Sequence, residues 1–245
     1  MTQAQPIPLP HRTEGCAMLR GDGVEIGAFD CPAPLPATCS VRYFDALSRE
    51  EAGRRFPELD VSRLVEPDIL GDLDLDGLAA FGGRSLDFVV CNHVLEHVAN
   101  PVRVVGELFR VLKPGGHAVI AIPDKDYTFD RAREPTGWEH LLSDHRQGVV
   151  ENDDSHYLDF LRKVAPHVFE EPGRNIAHEI ERARARREHA HVWTTATFRE
   201  FMGQALRLLK VRADPVFERT GMETQIEYFS VWRKRRSWLP WKTRT

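Results

Sequence analysis

An acid at the end of a second strand, twenty positions after an acid near the end of the first, stands where a ribose hydroxyl needs an acceptor. Glu25 lies in Gly23-Val-Glu-Ile-Gly27, and Asp45 follows Val41-Arg-Tyr-Phe44. Both stretches read as short buried strands. A carboxylate at the tip of the second strand can accept both vicinal hydroxyls of a ribose. Asp72 ends a third strand edge, Asp68–Asp72, and Asn92-His93 follows the apolar run Leu86–Cys91. Open α/β sheets bind ligands beyond the carboxyl ends of their strands, so these residues are expected to share one site.

The loop after the first strand narrows the ligand. GVEIGAFDCP starts like a nucleotide loop but lacks the later glycines of GxGxxG. Those glycines let a pyrophosphate approach the backbone at a helix N-terminus. Here Asp30 would repel phosphate and tolerate a cation. The stretch therefore speaks against a dinucleotide and for a zwitterionic ligand without phosphate.

The elements that must position these residues follow from spacing. Ser48 and Glu51 have capping-box spacing and start a helix. Leu86–Cys91 is continuous and apolar, as in a strand buried on both faces. Pro101–Leu112 repeats apolar residues at helical spacing and stops at Lys113-Pro-Gly-Gly116. His117–Ile122 is the next strand. Residues 124–190 break the alternation and read as an inserted helical cap. Thr195–Lys210 is a helix capped by Thr194. Val211–Glu218 and Gln225–Arg233 close the sheet as an antiparallel hairpin turning at Thr220-Gly221. Residues 1–20 read as a loose arm and 234–245 as a basic tail. The expectation is one α/β domain over 1–245, with seven strands, six parallel and one reversed.

GVEIG, the acid after strand two, GDLDLDGL and SLDFVVCNHVLEHVANPVRVVGELFRVLKPGGHAVIAIP together resemble class I S-adenosylmethionine-dependent methyltransferases of the small-molecule branch. The likeness covers residues 21–123 and implies a Rossmann-like fold with S-adenosylmethionine as cofactor. It also implies roles. Glu25, Gly27 and Ala28 would face the methionine part, and Asp45 the ribose. Ala46 and Leu73 would flank the adenine, whose amino group Asp72 would accept. Asn92 and His93 would lie under the methionine and sulfonium. The first motif departs from the family's GxGxG. PDKDYTFDRAR, EHLLSDH and HVWT further resemble a bacterial subgroup linked to surface-glycan synthesis.

Methyl transfer from a sulfonium is an in-line displacement, and the protein contributes mainly alignment. A hydroxyl acceptor also needs a base. Candidates in the insert are Tyr127, His140, Asp144, His145 and His191, with His145 foremost and His140 behind it. Their default is an exposed or structural side chain. No metal site is expected. His93 and His97, four apart, read as packing and capping on one helix. Asp144, His145, Glu151, Asp153, Asp154 and His156 read as a solvated loop.

Bulk properties bound the rest. The chain has 245 residues, 42% hydrophobic and 29% charged, with net charge -4. The last fifteen residues hold six Lys or Arg and no acid, which leaves the body at -10 and disfavours nucleic acid. The tail interleaves these bases with Trp232, Trp238 and Trp241, a pattern suited to peripheral contact with an anionic membrane. Four cysteines without CxxC spacing, and no signal segment, are expected of a cytoplasmic protein. The acceptor is expected to be a small molecule or glycan, methylated at oxygen. Two alternatives remain: a non-catalytic scaffold that lost the cofactor loop, and a nicotinamide oxidoreductase.

Overall fold

The computed structural model describes residues 9–236. Where the sequence reads as a loose arm, residues 10–16 form a helix, α1 (Pro10–Cys16), with proline in its first turn. Cys16 and Leu19 are buried against the sheet.

Strand β1 (Gly21–Ile26) alternates across the sheet. Val24 and Ile26 enter the main core, while Gly23 and Glu25 face the other side. Gly23 is required by close packing, because a Cβ there would run into the Phe88 ring. β2 (Cys39–Asp45) pairs parallel to β1. Residues 27–38 between them contain no helix, so the expected alternation fails at its first step.

Helix α2 (Arg49–Arg55) has the expected reciprocal cap between Ser48 and Glu51. β3 (Ile69–Leu70) is a two-residue edge, and β4 (Leu86–Asn92) is buried except for Asp87. Residues 93–100 form turns rather than the helix expected to carry His93 and His97. His93 itself has φ +53°.

Asn100 accepts from the Arg103 amide and, with Pro101, opens α3 (Pro101–Val111). Val102, Val104, Val105, Leu108, Phe109 and Val111 are all buried. At roughly 1.5–3 kcal/mol per buried side chain of this size, packing holds this helix more than intrinsic propensity does. The next strand is β5 (Leu112–Pro123). Then come α4 (Trp138–Gln147), α5 (Asp154–Val164), α6 (His167–Glu170) and α7 (Ile176–Arg186). α4 packs on α3, and α5 on α6 and α7. Thr194 caps α8 (Thr195–Leu208). The chain ends in β6 (Ala213–Arg219), the short α9 (Gly221–Thr224) and β7 (Glu227–Lys234).

The sheet order is β3-β2-β1-β4-β5-β7-β6, and β7 alone runs against its neighbours. The order reverses between β1 and β4, and this switch point is where the candidate site should open. Trp232 is 6% exposed in the core, so it is not free to touch a membrane. Trp238 and Trp241 lie outside the described residues. No helix among the described residues is long and apolar enough to cross a membrane.

Candidate active site at the sheet switch point

A cleft of about 640 Å³ opens at the carboxyl ends of β1, β2 and β4. All nine residues expected to touch a cofactor line it. Glu25, Gly27 and Ala28 come from β1 and its loop, and Asp45 and Ala46 from the end of β2. Asp72 and Leu73 follow β3, and Asn92 and His93 close β4. Gly27 has φ +66°, a conformation open to glycine at little cost.

The polar atoms at the cleft floor are under-satisfied. Glu25 is 2% exposed. Its Oε1 accepts from the Ala33 amide at 2.8 Å, while Oε2 has no partner. Burial pushes its carboxyl up to about 7, against the Ala33 bond and the charge of Arg12. Both amide atoms of Asn92 are buried and unpaired. Buried polar atoms are normally hydrogen-bonded, so these orphans mark a place for a polar ligand. Burial also raises the Asp45 carboxyl above its ordinary range, although the Leu47 and Ala46 amides and Arg187 oppose this. Asp45 Oδ1 accepts from Leu47 N–H at 3.0 Å, leaving Oδ2 for a ligand.

Asp72 is less free than its expected role requires. One oxygen accepts from the Asp74 amide at 2.8 Å, and the other is bridged to Arg187. Each oxygen keeps one lone pair for a ligand.

The sequence reading missed the far wall. Arg186, Arg187 and Glu188 reach the cleft from the end of α7. Phe29 meets Phe56 edge to face at 5.5 Å, and the Arg186 guanidinium lies 4.8 Å over Phe56. No local pattern announces a wall assembled from such distant segments.

A buried ionic cluster stands behind His93. Its Nε2 is 2.5 Å from Glu227 Oε2. Glu227 is fully buried, accepts from Arg12 at 2.8 and 2.5 Å, and lies 2.7 Å from His11 Nε2. Burial alone would raise the Glu227 carboxyl. The Arg12, His11 and His93 bonds override that and hold it far below the usual range. Glu227 therefore stays ionised and favours His93 with its proton on Nε2. Nδ1 is then the ring's acceptor nitrogen, 3.6 Å from Oε1 of the buried Glu96.

None of the five candidate bases, Tyr127, His140, Asp144, His145 and His191, lines this cleft. Tyr127 is exposed on a 3₁₀ turn, and His140 and His145 lie on α4. His140 instead stands 2.9 Å from His156.

The cleft suits a zwitterion with a ribose and lacks the helix N-terminus that a dinucleotide's pyrophosphate would use, since no helix begins after β1. A family model described as "Methyltransferase domain" matches residues 47–205. No curated protein matches the chain. Among solved structures, CurJ carbon methyltransferase shares 14% identity at a TM-score of 0.46. The match covers 91% of this chain and 52% of that one. A Thermotoga maritima protein described as a possible histamine N-methyltransferase shares 15% identity at a TM-score of 0.46, over 93% and 89%. A Rhodobacter sphaeroides structure described as a Zn-dependent alcohol dehydrogenase shares 12% at a TM-score of 0.52, over 89% and 85%. At that identity the likeness shows the fold alone. The family match and the sheet order together identify the chain as a member of the methyltransferase-domain family, a class I S-adenosylmethionine-dependent methyltransferase.

Proposed function

We propose that this enzyme methylates a hydroxyl of a small molecule or glycan, with His93 as the base. The supporting observation is the His93–Glu227 pair at the cleft, 2.5 Å apart. When bound, S-adenosylmethionine supplies an electrophilic methyl group. Asp45 accepts the ribose hydroxyls. Glu25 faces the ammonium of the methionine part, and the unpaired Asn92 amide meets its polar atoms. His93 Nδ1 takes the acceptor's proton as the new bond forms. Glu227, already ionised, steadies the imidazolium and fixes its tautomer. Arg12, donating to both Glu227 oxygens, and His11, at Oε1, keep Glu227 in place.

The test is transfer of labelled methyl to a panel of free sugars, oligosaccharides and small alcohols, with wild type and His93→Gln. General-base loss is expected to lower kcat by roughly 10²–10⁴-fold. Cofactor affinity should stay within a few-fold, separating chemistry from binding. Undiminished turnover by the variant would remove His93 from this role. Transfer only to amines would overturn the hydroxyl assignment.

A further inference from the structure

Away from the cleft, three imidazoles converge. His140 on α4, His156 on α5 and His191 just before α8 each offer a ring nitrogen, all within 4.8 Å of one another. His140 Nε2 is 2.9 Å from His156 Nε2 and 3.2 Å from Asp144 Oδ2. Ligand atoms ~2.0–2.1 Å from a tetrahedral zinc stand about 3.3 Å apart. The two spacings are already close to that.

The hydrogen bonding of this group is incomplete by itself. His191 is 0% exposed, and its ring nitrogens make no well-formed hydrogen bond, only a loose approach to the Val98 carbonyl. Asp144 Oδ2 is also buried and, apart from the His140 nitrogen 3.2 Å away, lacks a hydrogen-bond partner. His156 Nδ1 stands 3.2 Å from Asp153 Oδ1, a carboxylate placed to orient the ring and leave Nε2 for an ion.

We propose that His140, His156 and His191, with Asp144 beside them, bind one first-row divalent cation, Zn2+ being the ion this donor set fits best. The ion clamps α4 and α5 to the segment entering α8. The stretch expected to be a solvated loop thus supplies His156 and Asp144 to a metal site, and His140 has a role other than general base.

The experiment uses untagged full-length protein, stripped with chelator and titrated with Zn2+ and, separately, Co2+. Wild type, His140→Ala, His156→Ala and His189→Ala are compared. His140 is exposed, so its loss should spare the fold; His189 belongs to a second group with Glu96 and His97. One ion per wild-type chain is expected, with a tetrahedral Co2+ absorption spectrum and a raised Tm. His140→Ala and His156→Ala should each weaken binding by more than the roughly 10–100-fold typical of losing a residue that only orients a ligand. His189→Ala should bind as wild type does. No uptake by wild type, equal uptake by the first two variants, or loss confined to His189→Ala would overturn the assignment.

Discussion

Glu25→Gln separates what the cofactor needs from what the fold prefers. Burial pushes the wild-type carboxyl up to about 7 in the folded chain, against an ordinary 4.5. At ~1.4 kcal/mol per pH unit, keeping it ionised costs the fold about 3 kcal/mol. The sign follows from the raised pKa. The stabilisation of the neutral form is complete below pH 4.5 and is lost as pH rises through about 7. Glutamine does not ionise, and its oxygen can still accept from Ala33. Its buried NH₂ lacks a partner and costs about 1 kcal/mol. The net gain above pH 8 is then about 2 kcal/mol. At roughly 2–4 °C per kcal/mol, the cofactor-free variant should melt several degrees above wild type at pH 8.5. It should show no such advantage at pH 5.

Cofactor binding should move the other way. A hydrogen bond to a charged partner contributes roughly 1.5–3 kcal/mol, so affinity should fall ~10–150-fold at pH 8.5. Wild-type affinity should rise as pH rises through about 7, with a proton leaving Glu25 on binding. Calorimetry in buffers of different ionisation enthalpy measures that proton. Equal affinities for variant and wild type at pH 8.5, or a melting difference independent of pH, would refute the reasoning.

Glu227→Gln leaves Arg12 buried without its carboxylate and should cost roughly 3–5 kcal/mol, read from denaturant unfolding. Because the Glu227 pKa is depressed, its contribution is present above pH 4.5 and is lost as pH falls further. Wild type should therefore lose stability steeply in acid, and the variant less so. Gly27→Ala forces a side chain into φ +66°, with its Cβ 2.9 Å from Val94, at a strain of roughly 1–2 kcal/mol. Titration should show cofactor affinity reduced about tenfold or more, since the same loop carries Ala28.

The sequence reveals the strand-end side of the cleft because strand ends obey a rule. Alternation and apolar runs locate β1, β2 and β4, and whatever follows them faces the switch point. Glu25, Asp45 and Asn92 were legible for that reason. The His93–Glu227 pair was not, because its members are 134 positions apart and no periodicity links them. The same holds for Arg12, hidden in a stretch that reads as a loose arm. His140, His156 and His191 are visible singly, but only the packing of α4 and α5 brings them together. The missing helix after β1 is a different case. The absent phosphate glycines pointed to a changed loop, and the prolines at 32, 34 and 36 are the local signal that no helix follows β1.

The central claim is that this cleft holds S-adenosylmethionine through Asp45. Calorimetric titration of wild type and Asp45→Ala with S-adenosylmethionine and S-adenosylhomocysteine, with NAD as control, tests it directly. Micromolar binding of both sulfur compounds, lost in the variant and never seen with NAD, is the predicted result. Wild-type affinity retained in Asp45→Ala, or no binding by folded protein stripped of copurified ligand, would contradict it.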